Sequence, residues 1–128
     1  MKLALFETHH LYYWPNFRPI IDEIINSQEY DVYVSMPRRK STLEQKILAK
    51  ECEELSLKFI TSDTESKRVN EIYNKAFDVI FVGNVGKLHE ITNIKTLAVM
   101  VYHGIGLKQS YYNDISKRIN IRAVESLA

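Results

Sequence analysis

Six short apolar runs, separated by stretches in which apolar residues recur at helical spacing, constrain this chain more than any other feature. The runs are residues 3–6, 31–36, 58–61, 78–82, 96–102 and 119–124. Each is short and most are rich in β-branched or aromatic residues, which predicts strands. The run at 96–102 is continuously apolar, as expected of a strand buried on both faces. Between the runs, Phe17, Ile20, Ile21, Ile24 and Ile25 form one helical stripe, with Pro15 breaking the chain before it and Asn16 as a candidate cap. Leu43, Ile47, Leu48, Cys52 and Leu55 form a second, opened by a Ser41/Glu44 capping box. Val69, Ile72, Tyr73, Ala76 and Phe77 form a third, with Ser62, Asp63 and Thr64 as candidate caps, and a short helix is expected over 85–91. Strand, helix, strand in repetition is the signature of βαβ units, whose helices cover both faces of a parallel sheet. The expectation is one α/β domain over 1–128, Rossmann-like, three-layered (αβα), with a mainly parallel sheet of five to six strands.

Composition narrows the function classes. Apolar residues make up 45% and charged residues 26% of the chain, an ordinary globular balance that argues against disorder. Lys and Arg number 17 against 16 Asp and Glu, so a net charge of +1 supplies no field to recruit nucleic acid. One cysteine, Cys52, makes no internal disulfide and fits a reducing, cytoplasmic setting. No run approaches the roughly 20 apolar residues of a membrane helix, and no signal peptide opens the chain. No basic amphipathic helix is visible either, so any peripheral contact with the inner membrane face must be weak or come from elsewhere.

In an open parallel sheet, ligands bind beyond the carboxyl ends of the strands. That rule selects residues 7–14, Arg38-Arg39-Lys40, Gly83-Asn84 and residues 103–108, which together carry three of the four histidines. His103 follows an apolar run, Gly104 and Gly106 allow a tight turn and close approach to a ligand, and Lys108 adds a cation. The alternative is a strand-end histidine bonded to a backbone carbonyl. His9 and His10 are adjacent, so they point to opposite sides and make a poor metal pair; at most one faces a cleft. Tyr12, Tyr13 and Trp14 either stack on a sugar or base or pack at the core edge. Arg38-Arg39-Lys40 either holds a phosphate or is a solvated loop. His89 is expected at the surface and Cys52 in packing. The chain has no G-x-G-x-x-G after its first strand, no G-x-x-x-x-G-K-[ST] and no G-x-S-x-G. Glu7 and Asp63 are too thin an acidic set for a receiver-like domain. Neither a metal nor an organic cofactor is called for.

The stretch Val101-Tyr102-His103-Gly104-Ile105-Gly106-Leu107-Lys108 resembles the H-G-x-x-x-K segment of the CDP-glycerol glycerophosphotransferase family, the teichoic-acid-type enzymes of the two-domain GT-B fold. The opening Phe6-Glu7-Thr8-His9-His10-Leu11-Tyr12-Tyr13-Trp14-Pro15, followed by an amphipathic helix, is similar to the start of the family's acceptor-side domain. Where the family often carries Thr-Pro after His-Gly, Ile105-Gly106 stand here. The resemblance implies transfer of an alditol phosphate from a CDP-activated donor to a hydroxyl of a lipid-linked or cell-envelope acceptor. It implies His103 as general base, Lys108 as a cation offsetting phosphate charge, and Gly104 and Gly106 in the substrate loop. His9 and His10 are placed beside them as a hypothesis, lining the acceptor cleft. The family's nucleotide-binding domain is C-terminal, so the 128 residues are expected to be one half of such a fold, to meet the CDP-activated donor only with a second domain, and to be inactive alone. The competing reading is a non-catalytic α/β module that binds a sugar-phosphate ligand or a protein partner.

Overall fold

A computed structural model describes residues 1–38, 42–101 and 120–123. Along them run strand β1 (Lys2–Glu7), a 3₁₀ turn (Leu11–Tyr13), helix α1 (Trp14–Ser27), β2 (Tyr30–Ser35), α2 (Thr42–Glu54), β3 (Lys58–Phe59), α3 (Glu65–Lys75), β4 (Val79–Val82), the one-turn helix α4 (Leu88–Ile91), β5 (Leu97–Val101) and β6 (Ile121–Ala123). All six strands pair in parallel in one sheet, in the order β3-β2-β1-β4-β5-β6. This is the doubly wound Rossmann-like arrangement. The chain builds outward from β1 to one edge, returns through α3, and builds outward from β4 to the other.

Period-two alternation along the strands assigns the layers. Ala4 and Phe6 of β1, Val32 and Val34 of β2, and Val79 and Phe81 of β4 face α1 and α2, where Phe17, Ile21, Leu48 and Cys52 complete one core. Phe6 stacks on Phe81 across neighbouring strands, ring centroids 4.4 Å apart. Leu5, Ile80, Val82, Ala98 and Met100 point the other way, to Ile72 of α3 and to Leu88 and Ile91 of α4. Burial pushes the Cys52 thiol up to about 12, with the Glu51 charge adding to it, so this residue is packing rather than nucleophile. Among the described residues no helix is long and apolar enough to cross a membrane.

Local expectations differ from the structure in instructive places. Asn16 is not a cap: α1 already starts at Trp14, and Pro15 sits in its first turn, where its missing N–H is harmless. Thr64, of the three candidates, caps α3, its hydroxyl accepting from the Lys67 N–H at 3.1 Å. The α3 stripe does not reach Phe77, because Ala76 adopts a left-handed conformation (φ 53°) and ends the helix. Tyr73 is 49% exposed, and the buried face of α3 is Ile72 together with Arg68. Leu43 and Ile47 are exposed on α2, which buries only Leu48 and Cys52. Ser41, the proposed partner of Glu44, lies outside the described residues.

Candidate functional site

β1 ends in a carboxylate. Glu7 continues the parity of Leu3 and Leu5, so its side chain enters the α3 side of the sheet, where it is fully buried. A buried carboxylate needs partners. Its register neighbour on β2 supplies one: the Ser35 hydroxyl donates to Glu7 Oε1 at 2.5 Å. Helix α3 supplies the other. Arg68, also fully buried, donates from Nη1 to Glu7 Oε1 at 2.6 Å and from Nη2 to Glu7 Oε2 at 3.1 Å. The same guanidinium reaches back along its own helix to Glu65, from Nε to Oε1 at 2.9 Å and from Nη2 to Oε2 at 2.7 Å. One arginine thus makes two bidentate carboxylate pairs, a geometry its planar fork allows and a lysine's ammonium does not.

Glu65 is the hub at the rim. Beyond Arg68, it accepts from the Arg38 backbone N–H at 2.7 Å and from Lys87 Nζ at 3.0 Å. Three segments meet on it: the turn after β2, the first turn of α3, and the loop after β4. Burial pushes the Glu65 carboxyl up, but the hydrogen bonds from Arg68, Arg38 and Lys87 and the Arg68 charge outweigh it and hold it at about 2. Burial also works against the charge of Arg68, and its hydrogen bonds to Glu65 and the charge and hydrogen bonds of Glu7 reverse that, moving its pKa up.

Linkage fixes a pH dependence. The folded pKa of Glu65 lies below its ordinary value of 4.5, so its contribution is complete above about 4.5 and is lost as pH falls toward about 2. Part of the effect is screened, so it should amount to about 1–2 kcal/mol. Urea denaturation of wild type and Glu65→Gln should differ most above pH about 5 and converge toward pH 2; a difference that stays constant across that range would refute the assignment.

Over this network lies a pocket of about 160 Å³ lined by His9, Pro37, Glu65, Arg68, Gly86 and Lys87. It sits between the carboxyl ends of β1 and β4, where the sheet order reverses and doubly wound folds open a crevice. Two glycines of the loop after β4 let that loop close on the loop after β1. A Cβ on Gly86, whose φ is +46°, would fall 2.0 Å from His9 Nε2. A Cβ on Gly83 would fall 2.5 Å from the Tyr13 ring, whose hydroxyl accepts from Asn84 Nδ2 at 3.1 Å.

The two adjacent histidines part company. His9 is buried in the pocket wall, whereas His10 stacks on Tyr12 with ring centroids 4.9 Å apart and meets Tyr13 edge-on. Tyr13 and Trp14 pack into the core edge, and Tyr12 is 60% exposed. His89 is exposed on α4. His103, Gly104, Gly106 and Lys108 lie outside the described residues, as do Arg39 and Lys40. Among the described residues no group of three or more His, Cys, Asp or Glu is arranged to hold a metal ion. Sequence reasoning did not single out Arg68, Glu65, Ser35, Gly86 or Lys87 as site residues. Gly83 and Gly86, both in the loop that follows β4, are the one available signal. No family model, no curated protein and no solved structure matches this chain.

Proposed function

We propose that this domain is the acceptor-side half of a phosphotransferase of the CDP-glycerol glycerophosphotransferase type. It holds a hydroxyl-bearing acceptor of the cell envelope, while a second, nucleotide-binding domain holds the CDP-activated donor. His103 takes the acceptor's hydroxyl proton as that oxygen attacks phosphorus, and CMP leaves with the electrons of the broken P–O bond. Lys108 offsets charge on the transferred group, and Gly104 and Gly106 let the loop approach it. The observation that supports this reading is a parallel sheet of order β3-β2-β1-β4-β5-β6 in which β5 ends at Val101, two residues before His103 in the chain.

Titration of the 128-residue chain with a short glycerol-phosphate oligomer and with CDP-glycerol tests the division of labour. The oligomer should bind saturably in the millimolar range, CDP-glycerol should not, and the chain alone should turn neither over. Binding of CDP-glycerol without the oligomer, or turnover by the chain alone, would overturn the assignment. A second reading, a non-catalytic module for a sugar-phosphate ligand, is favoured by one observation: among the described residues, the β1/β4 pocket carries two cationic side chains, Arg68 and Lys87. Under it, His103→Ala leaves oligomer binding unchanged and a supplied donor domain restores no turnover.

A further inference from the structure

We infer that the pocket between β1 and β4 is an oxyanion site that takes one singly charged oxygen group, a carboxylate or a phosphoryl group, through Lys87 and Arg68. The hydrogen-bond inventory carries the inference. Arg68 has five N–H donors. Four are engaged: Nε with Glu65, one on Nη1 with Glu7, and both on Nη2, with Glu7 and Glu65. The fifth, on Nη1, has no acceptor among the described residues, although the side chain is 1% exposed and lines the pocket. Among the described residues, Lys87 gives one of its three N–H groups to Glu65 and has no acceptor for the other two, with its side chain 41% exposed.

The two carboxylates are used up, by contrast. A carboxylate offers about four lone-pair positions. Glu65 receives four donors, two on each oxygen: the Arg38 N–H and Arg68 Nε on Oε1, and Arg68 Nη2 and Lys87 Nζ on Oε2. Glu7 lies behind Arg68, closed off by Ser35 and the guanidinium. Unused donors in a pocket lined by Arg68 and Lys87, beside saturated carboxylates, select a ligand that accepts hydrogen bonds.

Charge favours the lower valence. Glu7 and Glu65 cancel Arg68 and Lys87, so every charge a ligand brings is uncompensated by these four groups. A monoanion adds one such charge and a dianion two, so the singly charged form fits better, held by the directed donors of the half-exposed ammonium and the buried guanidinium. Size agrees: about 160 Å³ is comparable to a cavity of about 150 Å³ that holds a benzene ring, enough for a carboxylate or phosphoryl head. The residues it is argued from, Glu7, Glu65, Arg68 and Lys87, are not those that carry the transferase reading, so it stands or falls apart from that reading.

Titrations of the ¹⁵N-labelled chain with sodium acetate, inorganic phosphate at pH 6 and glycerol test it, each at constant ionic strength. Saturable shifts are expected at the amides of His9, Gly86 and Lys87 with acetate, phosphate or both, and none with glycerol. Saturation by acetate identifies a carboxylate ligand, and saturation by phosphate alone a phosphoryl ligand. Lys87→Met, at a half-exposed position, should fold normally and weaken anion binding at least tenfold, whereas Lys95→Met should leave it unchanged. Saturation by glycerol, no anion response up to about 100 mM, or equal affinities in wild type and Lys87→Met would each overturn the proposal. An intact fold in the Lys87→Met spectrum keeps the last comparison decisive.

Discussion

Arg68→Met is expected to lose about 3–5 kcal/mol of folding stability, the range found when one partner of a buried ion pair is removed. The substitution preserves most of the side-chain volume, so a cavity is not the cause. It leaves Glu7, with no exposure to solvent, holding a single hydrogen bond from Ser35. Burial of that unpaired carboxylate is the source of the loss. Arg68→Lys should recover little, because an ammonium cannot form both bidentate pairs at once. Glu7→Gln combined with Arg68→Met should recover a substantial part, since the uncompensated charge is then gone. Urea denaturation followed by circular dichroism of wild type, Arg68→Met, Arg68→Lys, Glu7→Gln and the double variant gives these values. A loss below about 1 kcal/mol in Arg68→Met, or a double variant as unstable as the sum of the singles, would show that Glu7 and Arg68 do not act as a desolvated pair.

The reason this pair escapes sequence reading is its separation. Apolar runs and helical stripes are local patterns, and they place β1, α1, β2, α2, α3, β4 and β5 within a few residues of where they occur. Local spacing also separates His9 from His10, which the structure sends to the pocket wall and to the Tyr12 stack. Arg68, however, lies 61 residues from Glu7. On a helical wheel it neighbours Ile72, but a charged residue beside an apolar stripe reads as solvent-facing until a buried partner is known. Glu7 misleads in the same way. It follows four residues of strand pattern and looks like the start of a polar loop, whereas it is the last residue of β1 and pairs in register with Ser35 and Val82. The parity of Leu3, Leu5 and Glu7 was legible; that an arginine would arrive on that face was not. Gly86 is a third case: neither its positive φ nor the approach of His9 is written in the residues around it, and both arise only in the folded loop.

That contact makes the second large effect. Gly86→Ala is expected to lose about 2–4 kcal/mol, from two separable causes. The first is conformational: φ is +46°, and an L-residue with a Cβ in the left-handed region costs roughly 1–2 kcal/mol. The second is steric: the new Cβ would lie 2.0 Å from His9 Nε2 and 2.9 Å from both adjoining ring carbons. His9 is 2% exposed, so the ring cannot swing into solvent without disturbing its packing, and overpacking of this kind costs roughly 1–3 kcal/mol. A double-mutant cycle with His9→Ala divides them. If the imidazole is the obstacle, Gly86→Ala should lose only the conformational part in the His9→Ala background, and the cycle should show a favourable coupling of about 1–3 kcal/mol. Additive losses would mean that backbone strain alone explains the glycine and that His9 is not clamped by it. The clamp also has a consequence for the pocket, because Gly86 and Lys87 are consecutive and share the loop that closes on His9. A loop pushed away from the ring carries the Lys87 ammonium away from Glu65, so Gly86→Ala should shift the chemical environment of both residues even under conditions where the variant remains folded.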